Sequence, residues 1–86
     1  MTAVMIGVDP AKRSNTIEVI DSNETVLFTA RFENTNEDYR KMRTLVKRWP
    51  ERVWAVEGAT GVGLNLAQRL ISDGERVVDV HSKLST

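Results

Sequence analysis

The spacing of apolar side chains changes at Asn34-Thr35, and this change limits the fold of the 86-residue chain more than any other feature. Upstream of it, residues 16–21 and 24–32 alternate between apolar and polar positions, as half-buried β-strands do. The polar turn D-S-N-E joins the two runs, which predicts a β-hairpin. Downstream, apolar residues recur at helical spacing, namely Tyr39, Met42, Leu45, Val46 and Trp49.

Three short apolar runs predict the inner strands of a sheet. They cover residues 3–8, 53–56 and 77–80. Near-continuous apolar runs of this length are typical of strands that are covered on both faces. We therefore expect the first run to be a central strand that precedes the hairpin, and the other two to be buried strands that alternate with helices.

Capping and breaking residues set the limits of two helices. Asn34 or Thr35 is suited to cap the first helix. Lys47 and Arg48 are expected in its last turn and Trp49 on its apolar side, since Pro50 prevents continuation. Residues 64–71 place apolar side chains on one side of a second helix. The pair Asp73-Gly74 is a typical end for that helix.

The resulting element order is β-β-β-α-β-α-β, in one domain over residues 1–86 without linkers or repeats. The last β-α-β unit is expected to be a right-handed crossover between parallel strands. We therefore predict an α/β fold with a mixed five-stranded sheet in the order 3-2-1-4-5. This is the core of the RNase H-like architecture.

Two carboxylates are predicted to meet at one edge of this sheet. Asp9 follows the first strand and Glu57 follows the fourth, and these strands are expected to be parallel neighbours about 4.8 Å apart. Functional sites of open α/β sheets form at such carboxyl ends. Oxygen ligands without cysteine or paired histidine favour Mg²⁺ or Mn²⁺, which can promote phosphoryl transfer. The alternative is structural: Asp9, which precedes Pro10, caps a turn, and Glu57 is simply solvated.

Composition leaves the class of partner open. The 12 basic and 12 acidic residues cancel, and the chain has no cysteine, which excludes disulfides and thiolate metal sites. The N-terminal apolar run reaches an acid after a few residues, which argues against a signal peptide or a membrane span. A cytoplasmic location is therefore expected.

Four segments together resemble a known family. They are V-M-I-G-V-D-P-A-K, F-E-N-T-N-E-D-Y, W-A-V-E-G-A-T-G-V-G-L-N-L-A and V-V-D-V-H-S-K-L-S. They look like the DEDD-type transposases of the insertion-sequence 110 family, over nearly the whole chain. Ala11 and His81 depart from residues that are frequent there, and neither departure affects the matched acids.

This resemblance implies a RuvC-like domain whose acidic tetrad binds divalent metal. Asp9 matches the first acid and Glu57 the second, so both are expected to be catalytic and metal-binding. The last two acids and a serine-bearing domain lie further downstream in the family. The resemblance also implies DNA and a guide RNA as partners and DNA recombination by the full-length protein. We further expect self-association. We expect this chain to be an N-terminal fragment that is inactive alone.

Other residues are weaker candidates for contacts with nucleic acid. Lys12 and Arg13 follow Asp9 directly, and Thr60 lies in the glycine-rich turn G-A-T-G-V-G, whose amides are also able to hold a phosphate. A tight βα turn explains that segment equally well. Cations along the first helix can contact nucleic acid or form a solvated face; they are Arg40, Lys41, Arg43, Lys47 and Arg48.

Some remaining residues have ordinary structural interpretations. Asp21 is expected to belong to a turn, and Asp79 to be a solvated strand flank. His81 has no partner ligand in the sequence. Trp49 and Trp54 fall on apolar faces, which predicts packing rather than base stacking.

Two other function classes stay open on the residues alone. The opening G-x-D strand and hairpin also occur in nucleotide-binding modules of the actin and sugar-kinase type, which predicts ATP binding at the D-P-A-K-R turn. A purely oligomerising domain, in which a sheet edge pairs with a second copy, is the other alternative.

Overall fold

The predicted order of strands and helices is confirmed. The computed structural model describes residues 3–59 and 61–80. The elements are β1 (Val4–Pro10), β2 (Ser14–Ile20), β3 (Val26–Glu33), α1 (Asn36–Val46), β4 (Arg52–Glu57), α2 (Leu64–Ser72) and β5 (Val77–Val80). Every predicted element is present, and most boundaries move by one or two residues.

The five strands form one sheet in the order β3-β2-β1-β4-β5, as the element order predicted. β1 lies at its centre, antiparallel to β2 and parallel to β4. β5 extends the sheet in parallel beyond β4. The predicted α/β topology with two helices is therefore confirmed, and it is that of an RNase H-like fold.

Both helices pack on the same side of the sheet, which we term the helix-covered face. Alternate residues of β1 and β4 point there, including Ile6, which pairs with Trp54, and both side chains are fully buried. The core side chains that α1 and α2 contribute are Tyr39, Met42, Val46, Ala67 and Leu70. Two hydrogen bonds hold the helices side by side: Tyr39 Oη donates to Asp73 Oδ2 at 2.6 Å, and Arg69 Nη1 donates to Asn36 Oδ1 at 2.7 Å.

The opposite side of the sheet, the open face, has no helix over it in the described part of the chain. Met5 of β1 is 40% exposed there and Val78 of β5 is 45% exposed. The expectation that the apolar runs are covered on both faces is therefore wrong for residues 3–59 and 61–80. An apolar run indicates that a strand is rich in hydrophobic side chains, but it does not indicate on which side of the sheet the helices pack.

The first helix begins as predicted and ends earlier. Thr35 caps it, because its Oγ1 accepts a hydrogen bond from the Asp38 amide at 3.1 Å. The helix ends at Val46, so Trp49 lies beyond it and packs against Phe28 with ring centroids 6.4 Å apart. With 11 and 9 residues in α1 and α2, the described helices include none long and apolar enough to span a membrane.

A buried carboxylate joins β4, α1 and the loop before β5. Glu75 has only 5% of its side chain exposed and accepts hydrogen bonds from Trp54 Nε1 at 2.8 Å, from Arg52 at 2.8 and 3.0 Å, and from Arg43 at 3.0 Å. Burial alone would raise the pKa of Glu75, but these donors outweigh it and lower the pKa to about 2. No local pattern of the sequence indicates this cluster, because the donors lie 21 to 32 positions before Glu75 along the chain.

Replacing this carboxylate is expected to weaken the fold. Glu75→Gln should lower the free energy of unfolding at pH 7 by about 2–4 kcal/mol, because it removes the buried anion that two half-buried guanidinium groups share. Since the folded pKa lies below the ordinary value of 4.5, the stabilisation is present above that pH and is lost as the pH falls towards 2.

Urea unfolding followed by circular dichroism between pH 2 and 8 measures both effects. Glu51→Gln is the matched control, because Glu51 is exposed on the loop before β4. Equal stability of the two variants at neutral pH would contradict the role assigned to Glu75.

Candidate functional site at the carboxyl edge of β1 and β4

The two predicted site acids lie on neighbouring parallel strands. In the register of β1 and β4, Val8 pairs with Val56, and the next step along both strands places Asp9 opposite Glu57. Side chains alternate between the two faces along a strand, and the preceding residues, Val8 and Val56, are buried on the helix-covered face. The side chains of Asp9 and Glu57 therefore point to the open face. Strands in a sheet are about 4.8 Å apart, which brings the two carboxylates within reach of one cation.

The acids belong to a row that crosses the open face. Asp9 pairs with Thr16 on the β2 side, and Glu57 pairs with Val80 on the β5 side. Asp9 and Thr16 are exposed, whereas Glu57 is half-buried. The row is thus open to solvent at Asp9 and Thr16 and partly covered at Glu57 and Val80.

Asp9 and Glu57 belong to the acids whose carboxylates have no partner among the described residues, a group that also contains Glu18, Glu24, Glu33, Glu37 and Glu51. In residues 3–59 and 61–80, no hydrogen bond or ion pair to a protein group uses either carboxylate. Other acids accept bonds that stabilise the fold: Asp21, Asp38, Asp73, Glu75 and Asp79. The alternative that Asp9 caps a turn therefore finds no support, since the turn after Pro10 is closed by the Ala11 amide and the Ser14 carbonyl at 2.9 Å.

The donor set suits a hard divalent cation but is incomplete. Two adjacent carboxylates supply the oxygen ligands that Mg²⁺ and Mn²⁺ prefer, and neither has to be released from a protein partner in the described segments. Within those segments, no group of three or more histidine, cysteine or acidic side chains is placed to hold a metal ion. Asp9 and Glu57 thus fit as one part of a site whose remaining ligands are water or other groups.

The turn after Glu57 is closed by its own hydrogen bonds. Gly58 has φ +67°, and its carbonyl accepts bonds from the amides of Gly61 and Gly63 at 2.9 and 2.8 Å. The Gly58 amide donates to Val80 O at 3.1 Å. These described amides point inward, which favours the tight-turn interpretation over a phosphate cradle. Thr60, a predicted nucleic-acid contact, lies outside the described residues, as does His81.

Asp79 has a structural role that the sequence did not indicate. Its Oδ1 accepts a hydrogen bond from the Ala59 amide at 3.0 Å, which ties the turn after β4 to β5. Asp79 is exposed to solvent as predicted, and the bond to Ala59 gives it a structural role in addition. Asp79 pairs with Val56 and so lies on the helix-covered face, on the other side of the sheet from Glu57. Asp21 belongs to a turn as predicted, where Oδ1 accepts bonds from the amides of Asn23 and Thr25.

Lys12 and Arg13 lie in the turn between β1 and β2 and are exposed. Asn34 holds this turn in place: its Nδ2 donates to Ala11 O at 3.2 Å and to Lys12 O at 3.0 Å, and its backbone amide donates to Arg13 O at 2.9 Å. Neither cation forms an ion pair with a described carboxylate. Both side chains therefore remain candidates for phosphate contacts beside Asp9.

Several cations of α1 and the loop after it already have partners within the protein. Arg43 bonds Glu75, and Lys41 lies 3.9 Å from Asp38. Arg48 lies over the rings of Phe28 and Trp49, at 5.9 and 5.2 Å from their centroids. This bonding favours the structural interpretation of the basic helix over a dedicated nucleic-acid surface.

Comparison with known proteins finds one family. A family model described as a transposase, of the DEDD type of insertion sequence 110, matches residues 6–85. No curated protein shows significant similarity to the chain. The matched segment spans both strands that present Asp9 and Glu57, and it agrees with the resemblance of the sequence motifs.

Substitution of the acids is expected to separate structural from functional carboxylates. Asp9→Asn and Glu57→Gln should leave the free energy of unfolding within about 0.5 kcal/mol of the parent, because neither loses a described protein contact. Asp79→Ala should lower it by about 1–2 kcal/mol, because it removes the acceptor of the Ala59 amide. Urea unfolding of the three variants measures this, and a large loss for Asp9→Asn would indicate a structural role.

The approach of α2 to β4 is expected to require a glycine at its start. A Cβ atom on Gly63 would lie 2.8 Å from Val56 Cγ1 and 3.0 Å from the Glu57 carbonyl oxygen. Gly63→Ala should therefore lower the free energy of unfolding by about 1–3 kcal/mol and shift the amide resonance of Glu57. Gly61→Ala is the matched control, since the nearest atom to its added Cβ is at 3.8 Å. Similar losses for both variants would contradict this explanation.

Proposed function

Because the chain belongs to the DEDD transposase family of insertion sequence 110, we propose that Asp9 and Glu57 are metal ligands of its DNA-cleaving centre. The observation that carries the proposal is the parallel pairing of β1 with β4, which puts both acids on one accessible face. Neither carboxylate is engaged by another described protein group, so a cation would not have to displace a protein partner from either one. The family match also favours a transposase domain over a nucleotide-binding module of the sugar-kinase type.

The site combines metal-binding residues on two strands with cationic residues in the turn between β1 and β2. A divalent cation, Mg²⁺ or Mn²⁺, supplies charge neutralisation for phosphoryl transfer when it is bound. Asp9 holds it from β1 and Glu57 from β4, and the paired strands keep the two carboxylates at a constant separation. Lys12 and Arg13 add positive charge beside Asp9, where they favour the approach of a phosphate backbone.

The complete reaction needs more than these residues. Two carboxylates leave most of the coordination sphere of a hard cation to water, so we expect the 86-residue chain alone to bind Mg²⁺ weakly and not to cleave DNA. We infer that further acids of the family pattern complete the centre in a longer protein. In that protein we propose DNA as the substrate and a guide RNA as the partner that selects it, together with self-association.

A manganese titration followed by NMR tests the metal assignment. Mn²⁺ should broaden amide resonances in a region centred on Asp9 and Glu57, with a dissociation constant of about 1 mM or weaker. Asp9→Asn and Glu57→Gln should each reduce the broadening. Glu51→Gln, at the opposite end of β4, should leave it unchanged. Broadening centred elsewhere, or unaffected by both site variants, would overturn the proposal.

A further inference from the structure

A cleft of about 490 Å³ opens on the helix-covered face, at the same end of the sheet as the two acids. It lies between the turn that joins β1 to β2 and the N-terminal halves of α1 and α2. Residues on its walls include Lys12, Asn15, Phe32, Met42, Asn65 and Leu66. Its volume falls within the range of clefts that bind small organic groups, and its lining combines apolar surface with amide groups.

Asn15 is the most unusual residue of the cleft, because it is polar and only 5% exposed. Its Nδ2 donates to Asn34 Oδ1 at 2.6 Å. No group of residues 3–59 and 61–80 donates a hydrogen bond to its Oδ1. Asn15 lines the cleft, so this carbonyl oxygen is an acceptor without a described partner in a nearly buried residue, where an unsatisfied polar group is costly.

The neighbouring polar groups make the position of Asn15 rigid. Asn34 uses its Oδ1 for Asn15 and its Nδ2 for the carbonyls of Ala11 and Lys12. The Asn15 side chain cannot rotate without breaking its bond to Asn34, and the Asn34 side chain cannot rotate without breaking its bonds to Ala11 and Lys12. The acceptor is therefore held in place before any ligand arrives, which lowers the entropic cost of binding.

The apolar wall suits a flat ring. Phe32 is half-buried on the cleft, and Met42 is buried behind it. The ring of Tyr39 already has the guanidinium of Arg69 over it, 3.9 Å from its centroid. Phe32 is therefore the aromatic residue of the described lining that remains for stacking, and stacking on one aromatic side chain is a common way to hold an unpaired base.

The charged residues at the rim of the cleft favour binding of a single phosphate group. Lys12 and Arg69 are cationic and Glu33 is anionic. Arg69 is bonded to Asn36, whereas Lys12 is exposed and has no described ion pair. Lys12 also follows Asp9 by three residues, so at most about 11 Å separates their Cα atoms. A strand that passes Asp9 thus comes within a short distance of the cleft.

We propose that this cleft binds one unstacked nucleobase with an exocyclic amino group, from the nucleic-acid strand that the acidic site processes. The amino group donates to Asn15 Oδ1, the ring stacks on Phe32, and the adjoining phosphate contacts Lys12. Thymine and uracil have no exocyclic amine and lose the bond to Asn15. This inference rests on the proposed function for the presence of a strand, but not on metal binding.

Short homopolymers test the proposal on the intact chain. In NMR titrations, oligo(dA) and oligo(dC) should shift the side-chain amide resonances of Asn15 and the ring resonances of Phe32. They should bind about fivefold more tightly than oligo(dT), as expected for one hydrogen bond of ordinary strength. Comparison of oligo(rA) with oligo(dA) distinguishes RNA from DNA. Comparison of free AMP with oligo(dA) distinguishes a single nucleotide from a strand.

Variants assign the preference to individual residues. Asn15→Ala should abolish the discrimination against oligo(dT). Phe32→Leu should weaken the binding of every homopolymer about tenfold. Lys12→Ala should weaken the binding of every homopolymer by the same factor, whereas Lys47→Ala, which removes an exposed lysine outside the cleft, should leave binding unchanged. If Asn15→Ala does not fold, the preference of the unmodified chain for oligo(dA) and oligo(dC) over oligo(dT), together with the shift of the Asn15 side-chain amide, decides the question.

Each outcome separates this inference from the metal site. Shifts confined to α1 or the open face, or equal binding of all homopolymers, would overturn the cleft assignment. Manganese broadening at Asp9 without any response of the cleft to homopolymers would overturn it while the metal proposal stands. A base-selective response without manganese binding would support the cleft and contradict the metal proposal. Binding of AMP as tight as that of oligo(dA) would contradict the involvement of a strand.

Discussion

The parallel pairing of β1 with β4 is the constraint on which the rest of the structure depends. It joins the antiparallel β1–β2–β3 meander to the β4–α2–β5 unit, and it determines which residues face each other across the sheet. Trp54 anchors the pairing from the helix-covered face, where its ring is buried and its Nε1 bonds Glu75. Gly63 lets α2 start directly against the end of β4. A shift of one residue in this register would move Glu57 to the opposite face from Asp9.

The acidic residues of the chain follow two different physical rules. Glu75 is buried and needs its three donors, because a desolvated carboxylate without partners is strongly unfavourable. Asp9 is exposed and Glu57 half-buried, and their mutual repulsion through water is only about 1 kcal/mol. The fold therefore does not require a cation between them. A metal ion between Asp9 and Glu57 would therefore contribute to chemistry rather than to folding. The carboxylate of Glu75, by contrast, stabilises the fold.

The sheet separates two surfaces that share one end. The acids lie on the open face, and the cleft lined by Asn15 lies on the helix-covered face. The turn between β1 and β2 passes from one to the other, and Asn34 holds it through both its side chain and its backbone amide. Lys12 and Arg13 thus project from a rigid support rather than from a free loop, which favours defined phosphate contacts over general electrostatic attraction.

The element order, the strand order and the adjacency of Asp9 and Glu57 followed from the sequence alone. The spacing of apolar residues indicates whether each element is a strand or a helix. Short connections and the right-handedness of β-α-β crossovers then leave few ways to arrange a meander and a β-α-β unit in one sheet. Other features came only from the tertiary structure: the packing of both helices on one face, the cluster around Glu75, the bond of Asp79 to Ala59, and the Asn15–Asn34 pair beside the cleft. The physical reason is that these polar contacts join residues 19 to 32 positions apart, so that packing rather than any local pattern selects each partner.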